Sequence, residues 1–362
     1  MRLASGFALI TVAAGLFMIQ TASAEPYLAV QGGYKCGTCH VNPTGGGLRN
    51  DFGLIYAQNV LPAATVGGPD AVWGGKLTEF LRLGGDLSAN WSRSEVPRSP
   101  SQQKFAVDQV RVYGEVSMIR DRLSLYVDEQ VAPNSAQNME AYLRYSDPAH
   151  GWYAKAGKFY LPFGWRLQDQ TAFVREVTGI SMTSPDQGVE LGYERDSWSA
   201  QVAFTNGAAN AQSGSGHQIT VQAVYVQPWW RAGLAASQTQ ADAGNRRVFG
   251  VFAGIRTGPV AWLGEADLIS DDGYPEGNRK LGSLLGEADW NLAKGHNLKL
   301  TAEYYEPDRN VSEDQQTRWS VLYEYTPIQF LQLRAGFRRY RGIPQNDAQN
   351  RRLTFFELHG YF

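Results

Sequence analysis

Both cysteines of the chain stand in one pentapeptide, Cys36-Gly37-Thr38-Cys39-His40. Two thiols separated by two residues and followed directly by a histidine form the attachment sequence for a c-type haem. Each thiol can make a thioether to a haem vinyl group, and His40 is then placed under the porphyrin as the proximal iron ligand. A thioredoxin-like redox pair would need a βαβ pattern nearby, and none is visible. A structural disulfide across two residues would leave His40 without a role. The residues therefore imply one covalently bound haem c, held by Cys36, Cys39 and His40.

Loading such a site requires export, and the first 24 residues read as a secretory signal. Arg2 precedes an apolar run from Ala8 to Met18, and Ala22-Ser23-Ala24 supplies a small-residue cleavage site. An uncleaved anchor fits less well, because the run is short and ends in a cleavage pattern. Three units follow from this: a signal at 1–24, a mono-haem segment at 25–75 and a remainder at 76–362.

The remainder must position the haem segment, and its pattern is that of a membrane barrel. Beyond the signal, no run approaches the roughly 20 apolar residues that a membrane helix needs. From about Lys76 onward, segments of about ten residues alternate apolar and polar between turn residues, which is the signature of transmembrane strands. Leu81, Leu83, Gly85, Leu87, Ala89 and Trp91 share one face, opposite Arg82, Asp86, Ser88 and Asn90. Val110, Val112, Gly114 and Val116 oppose Arg111, Tyr113, Glu115 and Ser117. The same holds for Leu298, Leu300, Ala302 and Tyr304 against Lys299, Thr301 and Glu303. It holds again for Trp319, Val321, Tyr323 and Tyr325 against Arg318, Ser320 and Glu324. A lipid-facing Lys or Arg at the midplane costs about 2–4 kcal/mol, so the charged face must be the lumen. Met118 falls on the lipid side.

Short links (120–122, 195–197, 257–259 and 326–328) alternate with longer polar ones (94–103, 206–216, 270–279, 307–315 and 342–350). Short periplasmic turns and long extracellular loops are the rule for bacterial barrels. The count gives an all-β fold: a transmembrane antiparallel β-barrel of about 16 strands with a small N-terminal c-type haem segment. An even number puts both chain ends on the periplasmic side, where the haem segment can enter the lumen as a plug. A segment of nearly thirty residues between Lys158 and Gly188 begins Phe159-Tyr160-Leu161-Pro162-Phe163-Gly164-Trp165. Its length and aromatics predict an inward fold that narrows the lumen. Within the plug, Gly45-Gly46-Gly47 is expected to let backbone pass close to the porphyrin, and Arg49 either to meet a propionate or to stand exposed. Leu48, Phe52, Leu54, Ile55 and Tyr56 are expected to form a short amphipathic helix against the ring.

On the residues Cys36, Cys39 and His40, and on this architecture, the chain resembles fused outer-membrane porin–cytochrome c proteins. The resemblance spans the whole chain in architecture. It implies an iron-oxidase-like electron transfer protein of the outer membrane. Such a protein takes electrons from extracellular ferrous iron and passes them to a periplasmic carrier, a soluble cytochrome. The Gly157 to Gly164 stretch is also similar, more loosely, to polyphosphate-selective barrels.

Two other readings stay open: a diffusion porin for small solutes with a structural or regulatory haem-bearing plug, and a periplasm-facing redox protein anchored by its barrel. Glu115, Glu140 and Glu324 are lumen carboxylates able to attract cations, although arginines stand beside them. For the distal iron position, alternation turns Phe355, Glu357, His359 and Tyr361 inward near the periplasmic mouth, which makes His359 the candidate ahead of His150, His296 and Met182. No hydrolase constellation stands out, and a net charge of −2 gives no basis for a nucleic-acid partner. The partners implied are a lipid bilayer, a periplasmic carrier and extracellular ferrous iron.

Overall fold

The computed structural model describes residues 25–68, 72–207, 216–242, 244–275 and 277–362. The expected signal at 1–24 lies outside the described residues, as does most of the 206–216 loop.

The alternation read from the sequence closes into one antiparallel barrel of sixteen strands, each hydrogen-bonded to its neighbours in chain order, with the first pairing the last. The strands are β1 (Leu81–Glu95), β2 (Gln102–Ile119), β3 (Leu123–Ala132), β4 (Gln137–Asp147), β5 (Trp152–Phe159), β6 (Asp186–Arg195), β7 (Trp198–Thr205) and β8 (Gly216–Val226). They continue as β9 (Trp230–Ala241), β10 (Gly244–Thr257), β11 (Val260–Tyr274), β12 (Gly277–Ala293), β13 (His296–Glu306), β14 (Gln316–Ile328), β15 (Leu331–Arg341) and β16 (Arg352–Tyr361). Closure is set by β1 against β16, from Asp86 opposite Tyr361 to Glu95 opposite Arg352. A closed ring leaves no edge strand, and every backbone group at membrane depth finds a partner within the sheet.

The two faces sort as the period of two requires. In β1, Asp86, Ser88 and Asn90 are buried while Leu87 is exposed; in β2, Arg111 and Tyr113 are buried while Val112 and Val116 are exposed. Met118 is on the outside. Trp152, Trp198, Trp229, Trp262 and Trp290 stand on the outer surface near the short turns, and Phe105, Phe204, Trp319 and Phe356 stand outside toward the other rim. Two aromatic girdles enclosing an apolar band are what a lipid bilayer selects on a barrel exterior. No helix is long and apolar enough to cross a membrane, which bears only on helices.

Two turn assignments differ from the sequence reading. The chain does not turn at Thr326-Pro327-Ile328: β14 runs through Ile328, and the reversal falls at Gln329-Phe330, where Phe330 takes φ 71°. Pro327 fits inside the strand because the register slips between Tyr325 and Ile328, so its missing N–H breaks no ladder bond. The 270–279 stretch is also not an open loop. There β11 and β12 stay paired out to Tyr274 opposite Gly277, because polar strands remain stable when they project beyond the bilayer.

The lumen is not left open. The long connection between β5 and β6, residues 160–185, folds inward as expected and carries a short helix, α4 (Phe173–Thr178). Tyr160, Leu161, Phe163, Trp165, Val174 and Ile180 are all buried. The N-terminal segment closes the short-turn mouth with α1 (Pro26–Gly32), α2 (Cys36–Cys39), α3 (Asp51–Ile55) and a π-helical turn at Tyr56–Val60. The barrel proper begins at Leu81, a few residues after the expected boundary at 76.

Candidate haem-binding site

The Cys36–His40 motif follows α1 in the plug. Cys36–Cys39 is a single helical turn, closed where the His40 N–H donates to the Cys36 carbonyl at 3.0 Å. His40 then bridges antiparallel to Arg49, so the loop 41–48 doubles back and holds Gly45 beside Cys36. A Cβ on Gly45 would lie 3.3 Å from Cys36 Cβ and 3.4 Å from its Sγ. The other two glycines serve different neighbours. A Cβ on Gly46 would meet Met182 Cε at 2.6 Å, and one on Gly47 would meet the Tyr126 hydroxyl at 2.0 Å. The triglycine, at φ 90°, 82° and 61°, is thus fitted as much to the inward loop and the barrel wall as to the motif.

The barrel holds this turn from several sides. Arg231 on β9 donates to the Tyr34 and Ala29 carbonyls, and Arg144 on β4 donates to that of Val41. Asn42, fully buried, donates to Glu140 at 3.2 Å and accepts from Lys155 at 3.3 Å. Lys35 pairs with Glu194 at 3.3 Å, and Arg166 of the inward loop donates to the Thr44 carbonyl at 3.2 Å. At the rim, the Ala63 N–H reaches the Thr326 carbonyl at 2.8 Å, and Asp51 pairs with Lys76 and Arg82.

Above the motif, between plug and inward loop, lies a cavity of about 150 Å³. Cys36, Cys39 and His40 all line it. Its apolar wall comes from Leu28, Leu61, Trp165, Val224, Val226 and Phe252, and its cationic groups are Lys35, Arg49, Arg166 and Arg231, with the Glu25 carboxylate also in the lining. A flat apolar macrocycle carrying two carboxylates matches those surroundings.

Three features of the chain itself fit a haem. Both cysteines are free thiols. Burial holds them protonated, Cys39 pushed up to about 11. The His40 Nδ1 is buried without a hydrogen-bond partner. Burial first, and the Arg49 charge second, lower the His40 pKa to about 4, so its imidazole is neutral, the form that ligates a metal.

The motif also borders a second space. A cleft of about 810 Å³ at the short-turn mouth is lined by Gly37, Thr38 and His40 on one side and by Arg82, Glu115 and Arg144 on the other. The plug turn therefore lies between the inner cavity and this cleft.

The remaining candidates are dispersed. His359 is buried and lines the cavity, but its Nε2 lies 2.7 Å from Asp86 and its Nδ1 3.3 Å from Gln332. Both nitrogens are engaged in the wall, and an iron could take one only if a partner let go. His150 pairs with Asp147 in an exposed turn, and His296 stacks on Tyr325 at 4.5 Å. Met182 packs against Gly46. Phe52 and Ile55 point out of the mouth rather than to the cavity, where Tyr56 stands; Leu48 and Leu54 are buried. Arg49 lines the cavity, its guanidinium 4.8 Å from the Tyr361 ring.

The lumen carboxylates are not free to draw cations. Glu115 pairs with Arg144, Glu324 with Arg334, and Glu140 accepts from Asn42 and the Tyr160 N–H. Arg166 and Arg231 were missed in the sequence, and Trp165 was read only as an aromatic of the inward loop. Alternation shows that Arg231 faces inward, yet only the folded plug shows what it faces.

Among solved structures the barrel has many counterparts. It aligns with an anion-selective porin from Comamonas acidovorans at TM-score 0.63, 9% identity, over 78% of this chain and 99% of that one. A loop-deletion form of OmpT from Vibrio cholerae aligns at TM-score 0.62 and 10% identity, over 78% and 100%. The DcaP channel of Acinetobacter baumannii aligns at 0.58 and 10%, over 78% and 97%. The fold is that of a porin. At these identities the likeness establishes architecture alone. No family model matches the chain, and no curated relative does.

Proposed function

We propose that this protein is an outer-membrane redox barrel. In this reading Cys36 and Cys39 would hold one haem c and His40 would ligate its iron, and the protein would carry electrons from an extracellular donor, with ferrous iron the leading one, to a soluble periplasmic carrier. When bound, the group supplies a one-electron couple at its iron. The observation that carries the reading is the place of the motif, between the inner cavity and the cleft at the short-turn mouth. His40 borders both. Arg49, Arg166 and Arg231 give the cavity a cationic lining that holds carboxylates and favours the reduced, less positive state. The plug and the inward loop fill the lumen around that cavity, which hinders a diffusing solute far more than an electron. Ferrous iron as donor rests on the resemblance of the chain to porin–cytochrome c fusions. The test is haem reduction in intact cells lacking other surface cytochromes, after addition of ferrous iron. Fast reduction that disappears in His40→Ala is the expected result; no reduction by any impermeant donor overturns it.

A second reading is a solute porin whose plug carries the haem for structural or regulatory ends. The fold likeness to porins favours it. Liposome flux separates the two: uptake of small anions or sugars at porin rates by the intact, haem-loaded protein would support this reading over the first.

A further inference from the structure

On the outer wall, toward the long-loop rim, strands β9 to β12 set two cross-strand rows one above the other. Register places Gln238, Arg247, Ser270 and Lys280 side by side, with Ala236, Phe249, Leu268 and Gly282 in the row beneath. All eight share the outward-facing parity of their strands. Adjacent strands are about 4.8 Å apart, so Arg247 and Lys280, two strands apart, flank Ser270 at a distance suited to gripping one anionic group. A third cation joins them. Arg309 in the connection after β13 donates its backbone N–H to the Lys280 carbonyl at 2.8 Å, and its side chain descends over Gly282.

Arg247, Lys280 and Arg309 line one groove together with Ile219, Val221, Phe249 and Leu268. Among the described residues none of the three cations has an ion-pair partner. The nearby carboxylates are committed elsewhere: Asp271 to Arg246, Asp272 to Asn245 and Asp308 toward Arg279. The small residues Ala236 and Gly282 leave the lower row recessed beside Phe249 and Leu268. Unpaired cations above an apolar recess, at the level where headgroups begin, have the polarity of a lipid: phosphate above, acyl chain below.

We propose that this groove is a binding site for a phosphorylated glycolipid of the leaflet facing the long loops, of the bisphosphorylated lipid A type. Its phosphate is held by Arg247, Lys280 and Arg309, and an acyl chain lies over Ala236 and Gly282. Three cations suit a phosphate monoester, which carries more than one charge at neutral pH, better than the singly charged phosphate diester of an ordinary phospholipid. The site is independent of the haem reading.

The experiment is native mass spectrometry of the full-length, haem-loaded protein titrated in detergent with lipid A. One tightly retained lipid A per barrel is expected. Its affinity should fall about tenfold or more in R247Q/K280Q/R309Q, as expected for loss of several membrane-facing charges, and by a similar factor for dephosphorylated lipid A. Ala236→Trp keeps every charge but fills the recess, and should also weaken binding. Heat-modifiable gel mobility confirms that each variant remains a closed barrel. Equal retention by the triple variant overturns the proposal. So does full displacement by millimolar inorganic phosphate, which would mark a free-phosphate site, or undiminished binding in Ala236→Trp.

Discussion

Two segments fill the lumen, and they are held there by different physics. The inward loop is fastened by buried charge. Arg175 pairs with Glu265 on β11 and donates to the Phe163 carbonyl, and Arg318 on β14 joins Asp169 at 2.8 Å while also bonding Glu303 on β13. Arg338 on β15 reaches Asp169 at 2.9 Å. The loop is thereby tied to the wall opposite its own strands, and its aromatics seat on lumen-facing glycines: Phe163 against Gly250 and Trp165 against Gly254. The plug is fastened mainly through its backbone. Arg231, Arg144 and Arg256 donate to plug carbonyls, and Gln329 both donates to and accepts from Val66. Its helices are single turns or little more; Tyr27, Val30, Val41 and Leu48 pack into the core, while Leu28 and Leu61 line the cavity. A loop closed by its own ion pairs is complete without a ligand. A segment this short cannot easily bury a core alone, and the plug leans on the barrel wall and leaves a cavity beside its motif.

That contrast can be broken in four ways. The largest effect is expected from Cys36→Ala/Cys39→Ala: complete loss of covalent haem on denaturing gels, with the barrel still heat-modifiable, because no strand depends on the motif. Retained covalent haem would defeat the reading of the plug as a cofactor bed. Next is Arg175→Met, which leaves Glu265 buried and unpaired. Removing one partner of a buried pair costs about 3–5 kcal/mol, and here the loss should appear as a loosened inward loop. Larger and noisier single-channel conductance is the readout, with haem content unchanged; a quiet channel would mean that packing of the aromatics alone holds the loop.

Gly47→Ala comes third. The new Cβ would meet the Tyr126 hydroxyl, which also accepts from the Leu48 N–H at 3.1 Å, and φ at this position is positive. Strain of about 1–3 kcal/mol should fall on the plug, lowering haem incorporation during maturation without altering barrel assembly. Unchanged haem yield would show that the plug is not tightly registered against β3. The smallest effect is expected from His359→Ala. Since Asp86 also accepts from Tyr113 at 2.6 Å, the loss should be about 1 kcal/mol, with the visible haem spectrum unchanged. A shifted spectrum would instead place His359 on the iron and require its bond to Asp86 to open.

The barrel was legible because it depends on a local rule. Side chains alternate across a strand, charge is excluded from lipid, and the two together fix which face of β1, β2, β13 and β14 looks inward. Turns were legible where Gly or Asp marks them, as at Asp121 and Gly258, and were missed where a bulge absorbs Pro327 and the reversal moves to Phe330. The haem motif was legible because covalent attachment needs fixed spacing along the chain. The cavity was not. Its wall gathers Leu28, Trp165, Arg231 and His359 from four distant stretches, and no periodicity relates them. The sequence alone determined the strands, their facing, the inward loop and the residues able to carry a haem. Only the tertiary structure decided that plug and loop meet over a shared cavity, that His359 is engaged by Asp86, and that Glu115, Glu140 and Glu324 are spent on partners. Those outcomes depend on which side chains face one another across a closed lumen, and that is set by closure and register rather than by any local pattern.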